Sequence, residues 1–202
     1  MQCGRFIEGW AMKRLAGALT AAMLAWGPVA SDALAEHGRW QQLANKTHCA
    51  VWNATPQTSD TATWTGHCAD GKAEGYGTLV WRYSAGKKSK RQIYTGAMRG
   101  GKEHGRGEFV WANGDRYTGD WRHGKRNGRG VFVAANGGTY DGEFKDDLYH
   151  GQGVSVTAEG NRYEGAFKNG ELHGPGIVAG TNGKKYKVEF RNGLLISKKR
   201  IY

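Results

Sequence analysis

The chain has little proline and little cysteine, and it has no long apolar run after residue 35. With 3 prolines among 202 residues, it is neither a collagen-like protein nor a proline-rich linker. No segment after residue 35 is apolar enough to cross a bilayer as a helix. The sequence also lacks Walker A, G-x-S-x-G and H-E-x-x-H motifs. We therefore expect no catalytic residues and no cofactor, and we predict that the protein is not an enzyme.

Glycine and aromatic residues, in contrast, are abundant. The chain contains 33 glycines and 8 tryptophans, and aromatic residues make up 11% of it. This content argues against a disordered chain and favours short strands joined by tight turns. The formal net charge is +11, from 29 Lys and Arg against 18 Asp and Glu. Such a balance favours an anionic partner: nucleic acid, an acidic polysaccharide or an anionic membrane surface.

The first 35 residues have the features of a secretory signal peptide. Met12-Lys13-Arg14 is a short basic region, an apolar run follows over residues 15–30, and residues 33–35 read Ala-Leu-Ala. This order predicts a bacterial-type signal peptide, cleavage after Ala35, and a periplasmic or secreted product. A permanent anchor is the alternative, but the apolar run is shorter than the roughly 20 residues of a spanning helix. Export also removes nucleic acid from the expected partners.

Two cysteines, Cys49 and Cys68, remain after such a cleavage. An even number of cysteines in an oxidising compartment predicts that they form a disulfide. A metal site with the preceding His48 and His67 is the alternative. Neighbouring residues on a strand point to opposite faces, so each His–Cys pair would fail to converge on one ion. We expect the disulfide and no bound metal.

From Trp64 onward the chain repeats, with a period of 23 residues between successive tyrosines. Each unit has an aromatic residue at position 0, glycine at +2 and a large residue at +4. Glycine recurs at +7, +11, +13 and +20. A fixed period of this length indicates a repeat architecture. The units begin at Trp64, Tyr94, Tyr117, Tyr140, Tyr163 and Tyr186.

The spacing within one unit predicts a β-hairpin. Positions 0, +2 and +4 share one face of a strand, because side chains alternate with period two. The glycine at +2 leaves a slot that we expect an aromatic residue of a neighbouring strand to fill. Glycines between +5 and +11 suit a turn with positive φ, and Asn113-Gly114 and its equivalents mark a further turn. The predicted fold is all-β: an elongated antiparallel meander of stacked hairpins.

These units resemble the MORN repeat, whose motif reads Tyr-x-Gly-x-Trp/Phe-x-x-Gly-x-x-x-Gly-x-Gly. The resemblance covers residues 63–202, with a variant first unit and a last unit in which Val188 replaces the glycine. We expect that last unit to be a capping half-repeat. Residues 36–62 are expected to cap the exposed edge of the first hairpin. The resemblance implies a non-enzymatic binding or scaffolding module, similar in some members to phospholipid-associated membrane tethers.

Two surfaces of the predicted array are candidate binding sites. Position +5 is cationic in five units, at about 9.5 Å intervals, twice the strand spacing. It is either an edge that binds anionic lipid headgroups or acidic glycans, or a solvated turn that serves solubility. The aromatic face is either an open groove or simply the core. The candidate residues are Arg99, Arg122, Lys145, Lys168 and Arg191 for anions, and Tyr117, Trp121, Tyr186 and Phe190 for the groove.

Two further patterns suggest chemistry that we discount. Asp141 and Glu143 flank a glycine at a separation that an inverting glycosidase would use, but they also fit a solvated strand face. His104, His150 and His173 recur at position +10, but equivalent residues of successive units lie too far apart to share one zinc ion.

Three functional hypotheses follow from these patterns. We expect a non-enzymatic binding module of the bacterial cell envelope that engages a protein, an anionic lipid or a glycan, with peripheral membrane contact. The alternative is an assembly protein that forms a homodimer through its repeat ends. A glycan-processing enzyme using Asp141 and Glu143 ranks last.

Overall fold

The computed structural model describes residues 38–57, 59–86 and 88–201, so the predicted signal peptide and its cleavage after Ala35 lie outside the described residues. Within these ranges the chain forms strands and no helix, as predicted, and thus no helix that could cross a membrane. The strands are β1 (Arg39–Leu43), β2 (Lys46–Asn53), β3 (Thr61–Trp64), β4 (His67–Ala69), β5 (Lys72–Ala85), β6 (Lys88–Arg99), β7 (Lys102–Val110), β8 (Arg116–Arg122), β9 (Lys125–Val133), β10 (Thr139–Lys145), β11 (Leu148–Val156), β12 (Arg162–Lys168), β13 (Glu171–Ala179), β14 (Lys185–Arg191) and β15 (Leu194–Arg200).

All fifteen strands belong to one sheet, in which β5 to β15 are antiparallel neighbours in chain order. This is the predicted meander. At the other end, β5 is followed by β2, β1 and β3, and β3 also pairs with β5. The residues before the first hairpin therefore cover its edge and close the sheet on itself. The strand at the opposite end, β15, pairs only with β14 among the described strands.

A two-residue turn joins the strands within each hairpin. Both turn residues have positive φ, as at His123 (54°) and Gly124 (82°). This is the backbone of a type I′ turn, whose twist matches that of the flanking strands. The fourth unit has Asp147 (71°) where the others have glycine, and aspartate tolerates this region better than most residues. The predicted turn is confirmed.

The Asn-Gly turns connect one unit to the next. Gly114 N donates to Trp111 O at 3.0 Å, and Trp111 N donates to Asp115 O at 2.9 Å. The loop is therefore a three-residue turn in which the glycine, but not Asn113, has positive φ. The same pair of hydrogen bonds recurs in the next three connections.

A β-bulge interrupts each repeat hairpin next to the glycine at +2. The glycine at +11 takes up the extra length with positive φ, as at Gly128 (86°) and Gly151 (58°). An acidic residue at +3 also caps this bulge in two units: Asp120 Oδ2 accepts from Arg129 N at 3.1 Å, and Glu143 Oε1 accepts from Gln152 N at 3.2 Å.

The core lies on one face of the sheet and consists mainly of the rings at positions 0 and +4. Tyr94, Tyr117 and Tyr140 are at most 1% exposed. The expectation that a neighbouring strand fills the glycine slot is wrong. Tyr94, Tyr117, Tyr140 and Tyr163 each cover the glycines at +2 and +13 of their own unit, where an added Cβ would lie 2.5–2.8 Å from tyrosine ring or hydroxyl atoms. The ring fits there because the two glycines are cross-strand partners.

The tyrosine hydroxyl is held from the same unit. Tyr117 Oη donates to Asp120 O at 2.9 Å, and Tyr94, Tyr140 and Tyr163 repeat this bond to their own +3 carbonyls at 2.6–3.1 Å. In the first unit Trp64 Nε1 donates to His67 O at 2.8 Å. Tryptophan can replace tyrosine because its N–H reaches the same carbonyl.

Neighbouring units meet edge-on through their aromatic rings. The Tyr117 ring contacts Trp121 of its own unit at 5.2 Å between centroids and Phe144 of the next unit at 4.9 Å, both T-shaped. The Tyr140 ring likewise contacts Phe167 at 5.0 Å. Edge-to-face contacts of this kind stabilise aromatic pairs beyond simple burial, so the rings couple each unit to its successor.

The last unit is a complete hairpin, so the expected capping half-repeat is a wrong prediction. β15 pairs with β14 along Tyr186 to Arg191. The bulge glycines at +11 and +13 are absent here and Ser197 and Lys199 stand instead. The register accordingly differs: the shift between Glu189 and Phe190 admits one extra residue on β15 instead of two.

Cys49 and Cys68 form the predicted disulfide. It ties β2 to β4, and β4 pairs with β5. Cys49 packs with Leu43, Val51 and Trp64 in the core of this closed end of the sheet. The link therefore holds the covering strands against the first hairpin.

Replacing Gly130 by alanine tests the glycine slot. Its Cβ would lie 2.5 Å from the Tyr117 ring, and we expect a loss of about 1–3 kcal/mol in urea unfolding. Gly138 is the matched control, because its φ is unstrained and its Cβ would meet nothing closer than 3.3 Å. Equal stability of the two variants would contradict the slot.

Replacing Cys49 and Cys68 by serine tests the covered edge. The disulfide closes a loop with a sequence separation of 19, so we expect a loss of about 3 kcal/mol. Because repeat units contact mainly their neighbours, amide exchange should accelerate in β1 to β4 and stay unchanged in β8 to β14. Uniform acceleration along the array would contradict this local role.

Candidate functional site

The five predicted cations lie in a row along one set of strand ends, where each hairpin turns. Each is the last residue of its strand and stands directly before a two-residue turn. We call this row of hairpin turns the turn edge; it comprises positions +5 to +8 of each unit. All five side chains are exposed, and none belongs to an ion pair formed between described residues. They are Arg99, Arg122, Lys145, Lys168 and Arg191.

Position +8 faces position +5 across each turn and adds three kinds of side chain: lysine, leucine and, in the fifth unit, Glu171, which lies opposite Lys168. Lys102 pairs with Arg99 and Lys125 with Arg122, which doubles the charge in two units. Leu148 and Leu194 stand opposite cations in two other units and are 39% and 70% exposed. Sequence reasoning missed these leucines, although hairpin register alone places +8 beside +5. The turn edge thus combines exposed cations with exposed leucines and, in the fourth and fifth units, with the carboxylates of Asp146, Asp147 and Glu171.

Backbone hydrogen bonds lock the turns to one another. Gly124 N donates to Glu103 O at 2.9 Å and Asp147 N to Arg126 O at 3.1 Å, so position +7 of each unit bonds to +9 of the preceding unit. Gly170 N repeats the bond to Tyr149 O at 2.9 Å. The cations therefore extend from a fixed row of turns and not from independent loops.

The N-terminal strands bring two tryptophans to the same edge. Trp52 N donates to the turn carbonyl of Gly101 at 2.8 Å, and the Trp40 and Trp52 rings meet edge-on at 5.5 Å. Lys72 Nζ lies 4.6 Å from the centre of the Trp40 ring, and Lys102 Nζ lies 4.8 Å from that of Trp52. Trp40 is 44% exposed. No repeat periodicity could place it here, because it lies outside the repeats.

The histidines at +10 lie behind this row without forming a metal site. No group of metal-binding side chains occurs in residues 38–57, 59–86 and 88–201. His173 Nδ1 instead accepts from Asn192 N of the next turn at 3.3 Å. The pKa of His104 is lowered, first by burial and then by the charges of Arg99, His123 and Arg122.

The aromatic-groove candidates belong to the core. Tyr117, Trp121 and Phe190 are at most 6% exposed, so their rings offer no open groove. Tyr186 is partly buried, and Lys198 Nζ covers its ring at 4.0 Å. The Phe190 ring packs edge-on against Tyr163 at 5.7 Å, and Lys198 belongs to β15, a strand that the sequence interpretation did not include.

The two carboxylates of the discounted pair have different surroundings. Asp141 lines a shallow depression with Arg129, Gln152 and Glu164 on the face opposite the tyrosines. Glu143, in contrast, is occupied in capping its bulge through Gln152 N. The arrangement explains Glu143 as a structural residue of the hairpin.

Two charged residues of position +9 point into the tyrosine face. The Arg126 guanidinium lies 5.2 Å from the Phe144 ring centre and 5.7 Å from that of Tyr117, and its Nε donates to Asp147 Oδ1 at 3.1 Å. Burial raises the pKa of the Glu103 carboxyl to about 7, with the charge of Asp147 as a smaller cause. Position +9 therefore holds one arginine that is paired with a carboxylate and one carboxyl whose ionisation is opposed by burial.

Replacing Glu103 by glutamine tests this burial through pH. A carboxyl whose folded pKa lies above its unfolded value binds protons on folding, so its ionisation destabilises the fold as pH rises from about 4.5 to above 7. We expect the variant to be more stable than the parent by about 1–2 kcal/mol at pH 8 and equal to it near pH 4. A pH-independent difference in urea unfolding would contradict a raised pKa.

Comparison with known families identifies the repeats. The sequence profile of the MORN repeat matches residues 66–82, 94–116, 117–139, 140–162 and 163–185, more than half of the chain. No match was found among curated proteins. MORN repeats are typically non-catalytic modules, often associated with membrane or lipid binding. The matched segments coincide with the hairpins and the tyrosine–glycine slots described above, and the chain belongs to the MORN-repeat family.

Proposed function

We propose that this protein is a non-enzymatic module of the bacterial cell envelope that docks on an anionic membrane through its turn edge. One observation carries the proposal: five exposed, evenly repeated cations share an edge with the exposed side chains of Trp40, Leu148 and Leu194. The predicted signal peptide supports the envelope location.

The physics of a lipid surface matches this composition. A lysine or arginine near an anionic leaflet contributes about 1 kcal/mol, so a row of them supplies useful affinity without a pocket. Tryptophan favours the membrane–water interface, where its apolar ring and polar N–H are both accommodated. A solvated edge kept only for solubility needs the cations but has no use for three exposed apolar side chains.

The apolar side chains also distinguish a membrane from an acidic glycan. Both ligands would attract the cations and both would release the protein at high salt. Leu148 and Leu194 can bury surface only in an apolar layer, and a hydrated acidic polysaccharide provides none. The lipid headgroup is therefore the ligand that uses both parts of the turn edge.

Co-sedimentation with vesicles of phosphatidylglycerol and phosphatidylethanolamine tests the proposal. Replacing Arg99, Arg122, Lys145 and Lys168 by glutamate should weaken binding by at least about a hundredfold. The matched control replaces four exposed cations at the opposite strand ends by glutamate: Arg82, Lys88, Arg91 and Lys184. An equal loss in this control would show attraction to net charge alone and would overturn the assignment to the turn edge.

A second variant separates lipid from glycan. Replacing Trp40, Leu148 and Leu194 by serine should reduce vesicle binding and leave binding to alginate, an acidic polysaccharide, unchanged. Undiminished vesicle binding by this variant would rule out apolar insertion and with it the membrane as the preferred ligand.

A further inference from the structure

Two described strands have a single pairing partner. One is the three-residue β4, which pairs with β5 and is tied to β2 by the disulfide. The longer β1, β2 and β3 each pair with two strands. The other strand with a single partner is β15, which pairs with β14 alone. An edge strand presents a row of backbone donors and acceptors to which another chain can add.

Hydrogen-bond direction identifies backbone groups that face outward. Ile201 N donates to Lys185 O at 3.0 Å, so this pair is hydrogen-bonded. Pairs alternate along an antiparallel ladder, which makes Val188 and Lys198 a pair without mutual hydrogen bonds. The N–H and C=O of Lys198 therefore point away from β14, and the described chain has no strand beyond β15 to receive them.

The side chains of β15 divide into an apolar half and a cationic half. Leu194, Leu195 and Ile196 are 70%, 42% and 53% exposed. Lys198 and Lys199 follow, and Lys198 rests on the Tyr186 ring while Lys199 points to the opposite face. Lysine on an edge strand is a common protection against unwanted pairing. Three consecutive exposed apolar residues do not protect an edge in this way, and they favour an edge strand to which another strand binds.

The positive charge of the last two strands favours a partner segment that carries acidic residues. β14 and β15 together carry six cations and one carboxylate, Glu189. A second copy of β15 also carries three cations and no carboxylate, so the two strands would repel each other through their net charge. An acidic strand would instead meet lysines on both of its faces.

We propose that β15 is the docking site for an extended segment of another protein that carries consecutive acidic residues followed by aliphatic ones. The segment adds to the sheet antiparallel to β15, with its acidic residues beside Lys198 and Lys199 and its aliphatic residues beside Leu194 to Ile196. Backbone hydrogen bonds supply affinity, and the charge order supplies direction and selectivity. The proposal does not rest on membrane docking: the two surfaces share Leu194, but the backbone of β15, Lys198 and Lys199 belong to the strand edge alone.

Fluorescence polarisation with the labelled peptide Glu-Glu-Asp-Thr-Val-Ile-Val tests the proposal on residues 36–202. We expect saturable one-to-one binding that weakens with salt. The same peptide with N-methyl groups on alternate residues keeps every charge but cannot pair as a strand, and it should lose about tenfold or more in affinity. Equal affinity of the two peptides would show simple charge attraction and would overturn the proposal without any protein variant.

Paired charge reversals locate the peptide. Replacing Lys198 and Lys199 by glutamate should weaken it about tenfold, whereas the same change at Lys145 and Lys168 should weaken vesicle binding and leave the peptide unaffected. Thermal unfolding confirms that each variant is folded. A light-scattering mass of two chains that falls to one in the β15 variant would assign the edge to a second copy and overturn the acidic partner.

Discussion

The contact on which this protein depends is a tyrosine ring lying over a pair of glycines. Neither glycine has a side chain, so two neighbouring strands form a backbone floor on which the ring rests while its hydroxyl reaches a carbonyl of the same unit. The pairs join across the sheet into an unbroken row of glycines from Gly77 on β5 to Gly176 on β13. A single-layer sheet has no second layer to bury its core, and the tyrosines, covered edge-on by the rings of the next unit, take that role.

The single-layer construction also explains why both proposed binding surfaces lie at the periphery of the sheet. The tyrosine face is filled by its own rings, and bulge-capping side chains such as Asp120 and Glu143 occupy part of the other face. The turn edge is both exposed and repeated, and stacked backbone hydrogen bonds hold its cations in register. Binding through a row of weak, identical contacts suits an extended anionic surface better than a small molecule.

The two ends of the array differ for a physical reason. At the N-terminal end, strands from outside the repeats and the Cys49–Cys68 disulfide close the sheet. At the C-terminal end, Lys198 covers the last tyrosine ring in place of the next unit's aromatic residue, while the backbone of β15 stays uncovered. The two ends of the array therefore differ in their backbone hydrogen bonding. Strands from outside the repeats cover the N-terminal end, whereas the outward-facing backbone groups of β15 are available to pair with a further strand.

The repeat period, the buried face and the positions of the turns could be predicted from the sequence, because they depend on side-chain alternation and on the φ preference of glycine within about 23 residues. The occupant of the glycine slot and the burial of Glu103 could not, since each depends on how side chains pack across neighbouring strands. The strand β15 and the leucines at +8 were available from the Asn192-Gly193 turn and the hairpin register, but the sequence interpretation overlooked them. Trp40 reaches the turn edge only because β1 and β2 fold back across β5, a contact between segments that no local pattern relates.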